Sequence, residues 1–316
     1  MKAIYTLLIL LIPFVGFGQL TMIPDPNFEQ ILIDLGYDNV LDGNVNTASI
    51  DTVTNLYLYN SEISDLTGVE DFTSLNYLYF SNTPLTNLDV SQNTSLTSLY
   101  LYNTQLTSLD VSQNTSLTSL SCDNNQITSL DVSQNTFLEY LSLTNNQITS
   151  IDLSNNLLLD YLQIGNNNLT SLDITNLYSL ENLFASNNQI SSIDLSSQTF
   201  FVHLFLDGNN LNQLDLTNLI GNGWNCGVAE WNFQCQDLNC IEVNDLECWN
   251  NWMGGIDTTF QQFSINCNSI SNISENVFRK KIFKITDLLG KESEKQNRPL
   301  IYFYSDGTIE KKVIIE

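Results

Sequence analysis

The chain has 316 residues, 35 acidic and 10 basic, which gives a net charge of −25, and 42% of its residues are apolar. Lys and Arg are absent from every position between Ala3 and Phe278, a stretch that holds 29 acidic residues. Neutralising phosphates and releasing their counterions needs Lys and Arg, so nucleic acid is excluded as a partner of this stretch, anionic membranes and phosphorylated substrates are disfavoured, and a cation or a basic partner is favoured.

At the N-terminus, Lys2, the apolar run Ala3 to Val15 and the small residues of Gly16-Phe17-Gly18 read as a secretory signal over residues 1–18, with Gln19 as the mature start. A transmembrane anchor is the competing reading, but the run falls short of about 18–20 residues and no other segment is apolar enough to span a bilayer. Export places the protein outside the cell, released or attached to the surface. Residues 20–49 read as an N-terminal cap: Asp25 before Pro26, then Phe28, Ile31, Leu32 and Leu35 at helical spacing, closed by Gly36. Asp38 to Asn44 has part of a calcium-loop spacing without its closing Glu, which favours a plain turn.

Residues 50–220 repeat. Seven copies of one 21-residue unit begin at Leu85, Leu106, Ile127, Ile148, Leu169, Ile190 and Leu211, and each copy holds two alike halves, L-x-x-L-x-[VLC]-x-x-N. Two weaker copies precede them, at Val53 to Ile63 and Leu75 to Leu85. The strands of this pair lie 22 residues apart, which puts one insertion near Gly68. Apolar and polar residues alternate with period two in each half, so a coil is expected to have two short strands, with Leu96, Leu99, Leu101, Leu106, Leu109 and Val111 inward. Ordering one coil costs more than its own apolar burial returns, so the coils must stack. Asn125, Asn146, Asn167, Asn188 and Asn209 recur at one place, where a stacked amide can satisfy backbone groups of the turn.

The motif L-x-x-L-x-L-x-x-N-x-L resembles the leucine-rich repeat, in a short bacterial variant with two alike halves. Ser61, Thr83 and Thr104 stand in place of the first-half Asn, and Gln198 and Leu219 in place of the second. The resemblance implies a mainly β solenoid of about nine short coils with a cap at each end.

Residues 221–271 hold five of the six cysteines, Cys226, Cys235, Cys240, Cys248 and Cys267, directly after the last repeat. In an exported chain this reads as a disulfide-closed C-terminal cap with one cysteine left over, its small core supplied by Trp249, Trp252, Phe260 and Phe263; zinc is the runner-up. Cys122 stands at an inward strand position and reads as a buried free thiol. From Arg279 the charge reverses, with nine basic residues against six acidic ones. Residues 272–316 read as a separate small β domain of strands joined by Gly turns. Asp287-Leu-Leu-Gly290-Lys-Glu292, Tyr302-Phe-Tyr304-Ser-Asp306-Gly307 and Lys311-Lys312 resemble the C-terminal sorting domain of the bacterial type IX secretion system, which implies that machinery as a partner. An unrelated β domain is the alternative.

Two outward ladders are candidate sites. Tyr57, Tyr59, Tyr77, Tyr79, Tyr100 and Tyr102 occupy exposed strand positions on three successive coils, continued by Tyr140, Tyr161, Phe184 and Phe205; they suit a protein or glycan ligand, or else only stack across coils. Asp89, Asp110, Asp131, Asp152, Asp173, Asp194 and Asp215 form an acidic line. Hydroxyls such as Ser108, Ser112, Ser129 and Ser133 are expected to offset its self-repulsion, calcium being the other answer and a basic partner the third. Ladders of like side chains suit recognition better than catalysis, so the expectation is a non-enzymatic recognition or adhesion module; the alternative is a passive spacer at the cell surface.

Overall fold

The computed structural model describes residues 18–59, 62–220 and 228–244 apart from 234, 236, 237 and 239, together with segments 263–264, 282–287, 299–304 and 309–313. Most of the signal segment lies outside the described residues, as do Cys226, Cys248, Cys267, Trp249, Trp252 and Phe260. The chain divides into two compact units, 1–265 and 266–316.

In the first unit, β1 (Leu20–Met22) pairs antiparallel with β2 (Asn44–Asn46). Helix α1 (Pro26–Asp34) lies between them in the chain, with Pro in its first turn and Phe28 and Leu32 fully buried. Asp25 caps it: Oδ1 accepts the N–H groups of Asn27 and Phe28 at 2.9 and 3.3 Å. Its Oδ2 accepts those of Ser64 and Asp65 at 2.8 and 3.1 Å, so one carboxylate both caps the helix and fastens it to the first coil. Burial pushes this carboxyl up, but four backbone hydrogen bonds together outweigh it and hold the group below its ordinary value.

The turn with part of a calcium-loop spacing does something else. The N–H groups of Asp42, Gly43 and Asn44 converge on Oε1 of the buried Glu29, at 2.9, 2.7 and 3.1 Å. Converging donors suit an anion, and here the anion is the cap's own glutamate.

After a one-turn helix α2 (Thr47–Ile50) the coils begin. Each contributes one strand to a parallel sheet: β3 (Asn55–Tyr59), β4 (Tyr77–Ser81), β5 (Ser98–Tyr102), β6 (Ser119–Ser121), β7 (Tyr140–Ser142), β8 (Tyr161–Gln163), β9 (Asn182–Phe184) and β10 (Phe201–Phe205), in chain order. After β11 (Gln213–Asp215), β12 (Val228–Asn232) joins the edge at β10 and completes nine strands. β13 (Cys240–Glu242) and β14 (Phe263–Ser264) extend β11 into a small parallel sheet. The six expected inward residues are all buried, Leu109 being the most open at 9%.

The insertion near Gly68 has a steric reason. Gly68 has φ 102° and leads into a 3-10 turn (Val69–Asp71). A Cβ there would lie 2.3 Å from Cδ1 of Ile23 and 2.7 Å from the Met22 carbonyl, so only glycine lets the first coil meet the cap.

The two halves of the repeat part company at their strands. The expected second strand, L-D-V, pairs into a ladder only at β11; in the other coils it runs into a turn instead. In every copy the Asp Oδ1 accepts the N–H two residues on, as from Ser91 to Asp89 and from Ser112 to Asp110, both at 2.9 Å; Asp215 does the same at the end of β11, which pairs because β13 lies beside it. That Asx turn competes with an extended ladder. Coils are stitched on this side by side-chain amides. Nδ2 of Asn114 donates to the carbonyls of Val90 and Asn93, both at 2.9 Å, and Asn135 and Asn156 repeat the bond one coil further each time. Leu177 interrupts this series, and Gln198 resumes it to Ile174 and Leu177 at 2.9 and 3.2 Å.

The first-half Asn series closes the strand side in the way its position suggests. Nδ2 of Asn146 donates to Cys122 and Leu143 at 2.8 and 3.1 Å, and its Oδ1 accepts from Ile127 N–H at 3.0 Å. Asn167, Asn188 and Asn209 do the same in their coils. Where Thr83 and Thr104 replace Asn, the shorter side chains help line a cavity of about 440 Å³ with Glu62, Asn82, Pro84, Asn103 and Gln105, and the Thr83 hydroxyl is unpartnered. One residue before this series, Asn82, Asn103, Asn124, Asn145, Asn166 and Asn187 have φ between 51° and 57°, the left-handed turn that Asn tolerates, and Gly208 takes the next place at 67°.

The second unit holds three antiparallel strands in the order β15 (Ile282–Asp287), β16 (Pro299–Tyr304), β17 (Ile309–Val313), with Lys311 opposite Ile301 and Lys312 opposite Leu300.

Candidate functional site

Parallel pairing sets the outward side chains of the nine-stranded sheet in columns. Tyr57, Tyr79, Tyr100, Ser121, Ser142, Gln163, Phe184 and Phe205 stand in one register column; Tyr77, Ser98, Ser119, Tyr140, Tyr161, Asn182 and His203 stand beside it. The 22-residue interval shifts the first coil, so Tyr57 faces Tyr79 and Tyr59 faces Ser81.

All six sequence-nominated tyrosines lie on this face, and five of them form one cluster. Tyr57–Tyr77 and Tyr59–Tyr79 have ring centroids 5.0 Å apart, and Tyr100 lies 5.4 Å from Tyr77 and 6.4 Å from Tyr79. Such contacts stabilise the sheet by about 0.5–1.5 kcal/mol per pair beyond area burial. Stacking still leaves Tyr57 45% and Tyr59 55% exposed, and Tyr102, outside the cluster, is 42% exposed, so the ring ladder braces the coils and presents an aromatic surface together. A second cluster follows: Tyr140–Tyr161 at 4.8 Å, Tyr161–Phe184 at 5.3 Å and Phe184–Phe205 at 5.2 Å. His203 extends it, with Nδ1 2.8 Å from Oδ1 of Asn182 and Nε2 3.5 Å from Glu230.

Serines separate the clusters. Ser98, Ser119, Ser121 and Ser142 occupy the outward positions around β6, and Asp123 follows directly in the same coil. Oδ1 of Asp123 accepts the Ser142 hydroxyl and Thr144 N–H, both at 2.7 Å; Oδ2 accepts the Ser121 hydroxyl at 3.1 Å. Burial pushes the Asp123 carboxyl above its ordinary value despite these bonds. The Tyr140 phenol is pushed up by burial first, and also by Asp123, Tyr161 and Tyr100, which places these groups in one electrostatic neighbourhood. The burial of Asp123 comes from neighbouring coils, which its place in the repeat does not reveal.

The acidic line lies on the other side of the coil, and each of its carboxylates takes a bond from its own turn. Each of the seven accepts the N–H two residues on, at 2.8–3.0 Å, and Thr175 and Thr217 add their hydroxyls at 2.7 Å. These donors hold Asp89, Asp110, Asp131, Asp152 and Asp173 below the ordinary carboxylate range, the backbone N–H foremost and the hydroxyl second; for Asp194 the Ser196 hydroxyl comes first. The residue after each pair, not Ser108 or Ser129 before it, supplies the bond. Among the described residues no group of three or more His, Cys, Asp or Glu is placed to hold a metal ion.

Two thiols are free among the described residues. Cys122 is fully buried, and burial first and Asp123 second push its thiol up, which removes it as a nucleophile. Cys235 is buried, with its sulfur 3.2 Å from the Leu206 carbonyl, and burial raises it too.

Residues 94–135 match the family model described as leucine-rich repeats (2 copies). The chain carries leucine-rich repeats. Its leucine-rich-repeat solenoid shares the fold of internalin C2 from Listeria monocytogenes, at 24% identity over 67% of this chain and 94% of that one, with a TM-score of 0.56. It is also similar to the functional domain of InlJ from Listeria monocytogenes, which includes a cysteine ladder (27% identity, 73% of this chain, 69% of that one, TM-score 0.42). A leucine-rich-repeat protein of Leptospira interrogans is 23% identical over 56% of this chain and 52% of its own, with a TM-score of 0.48. No curated protein matches the chain. Leucine-rich-repeat proteins are generally protein-interaction modules rather than enzymes. No described helix is long and apolar enough to cross a membrane.

Proposed function

We propose that the protein is an extracellular recognition module that binds a protein partner through the aromatic sheet face. The observation that carries this reading is the exposure of Tyr57, Tyr59 and Tyr102 on a surface whose neighbouring rings are already locked by stacking. Large, rigid, amphipathic side chains bury area at low entropic cost, and the sheet holds them before the partner arrives. A glycan is the other ligand class such a face can take. The N-terminal signal, a disulfide-closed C-terminal cap and a type IX sorting domain over 272–316 belong to the same reading, which puts the solenoid outside the cell.

The test is capture of binding partners from candidate surfaces by the mature chain, alongside a Tyr57→Ser/Tyr59→Ser/Tyr102→Ser variant. Tyr57 and Tyr59 also brace the first coils, so the melting temperature of the variant is measured alongside, and Tyr102→Ser, outside those ring contacts, is tested by itself. Loss of a specific partner supports recognition. A partner bound equally by both forms moves the site elsewhere, and the absence of any partner, protein or glycan, supports the spacer.

A further inference from the structure

The sheet face is interrupted where a continuous aromatic ladder would be simplest. Around β6 the rings give way to Ser98, Ser119, Ser121 and Ser142, so the two clusters stand as walls on either side of a low strip. At strand spacing, roughly 4.8 Å per coil, β5 and β7 stand about 9.6 Å apart, which leaves room for a flat side chain between them. Asp123 lies beside this strip and is partly open to solvent.

Its chemistry is unbalanced in one direction. The Ser142 hydroxyl reaches both carboxylate oxygens but has a single hydrogen, so three hydrogens, from Ser121, Ser142 and Thr144, meet about four acceptor positions. No cation of the repeat region answers the charge. Lys and Arg are absent from 3–278, and His203 stands four strands away, bonded to Asn182 and facing Glu230. Holding a half-buried carboxylate without a counter-charge costs stability, so a partner that supplies the charge gains what the fold forgoes.

We propose that this strip receives an arginine side chain of the protein partner: the guanidinium donates to Asp123 while its plane lies against the Tyr100 and Tyr140 walls. This deepens the recognition reading above and rests on it. Arginine fits better than lysine because its planar, weakly hydrated head both stacks on rings and forks onto a carboxylate, and a neutral glycan leaves the charge unanswered.

The probe is a blocked Gly-Arg-Gly peptide titrated into the full mature chain and followed by NMR, with Gly-citrulline-Gly as the uncharged isostere and Gly-Lys-Gly as the other cation. Saturable binding of the arginine peptide is expected, weaker by about tenfold or more for citrulline and for an Asp123→Asn variant, and unchanged for Asp131→Asn. A Ser119→Phe variant, which fills the strip and leaves Asp123 in place, should lose binding to the same degree, and it decides the matter if Asp123→Asn melts early. Equal binding of arginine and citrulline, or full binding by both variants, overturns the proposal. If the tyrosine variant loses a captured partner while the peptides do not discriminate, recognition stands and the arginine assignment falls. If the peptide binds at Asp123 and no partner depends on the tyrosines, the reverse holds.

Discussion

The two sides of each coil come from nearly the same nine-residue phrase and do different work. On the strand side, L-x-L extends, pairs in a parallel ladder and stands rings outward at 4.8–6.4 Å from one another. On the turn side, L-D-V is diverted by its own aspartate into an Asx turn, and buried amides rather than a ladder carry the coil-to-coil bonds. The aspartate in the middle of the triplet turns the chain after it, and only the last copy, β11, also finds a strand to pair with. The strand side keeps its side chains available, whereas the turn side spends its carboxylates on its own backbone.

The largest expected effect comes from the amide that closes the strand side. Asn146→Ala leaves Ile127 N–H and the Cys122 and Leu143 carbonyls without their side-chain partner in a buried site. Chemical denaturation should show a loss of about 3 kcal/mol, within the range for stranded buried groups. A loss below about 1 kcal/mol would mean that other groups replace the amide. Next comes the ring ladder: Tyr161→Ser removes contacts to Tyr140 and Phe184 and should cost about 1–3 kcal/mol, with no effect on the turn side.

Acid titration of stability sharpens the contrast, because the two sides have opposite signs. Asp89, Asp110, Asp131, Asp152, Asp173 and Asp194 have folded values below 3.8, so their contribution is present above that pH and is lost as pH falls through the folded values. Asp123 has a folded value above 3.8, so between 3.8 and that value the folded chain holds the extra proton, and stability falls as pH rises through the window. Melting against pH should therefore fall off on the acid side in both wild type and Asp123→Asn, while the decline just above pH 3.8 should be absent from the variant. The smallest effect concerns cations. With no three His, Cys, Asp or Glu side chains grouped to hold an ion among the described residues, calcium should raise the melting temperature no more than sodium at equal ionic strength. A clear excess would restore the line as a cation site.

Much of this was legible in the residues. The inward aliphatic residues, the Asn125 series, the cap on Asp25 and the free Cys122 follow from period, position and side-chain chemistry that act within one or two coils. The D-x-[ST] spacing was legible too, yet an alternating triplet reads as strand until the Asx turn is weighed against it. Leu177 in the second Asn series and the left-handed Asn82 series could have been found by aligning every copy, since an Asn stands three residues before each of the first six units. Asp123 could not have been found that way: it differs from Tyr102 and Thr144, its counterparts one coil to either side, by identity alone, and its burial depends on Ser121, Ser142 and Tyr140 meeting it across coils.

The sequence by itself determined that the chain must stack, because no single coil buries enough apolar surface to order its own backbone, and it determined the acidity of the body because charge is a matter of composition. Tertiary structure decided which rings touch, since Tyr57 leans on Tyr77 and Tyr59 on Tyr79, diagonal to the register of the strands. It also decided that one carboxylate lies half-buried among serines and phenols while seven others lie open in their turns. Burial and register are properties of neighbouring coils in contact, and no single coil contains them.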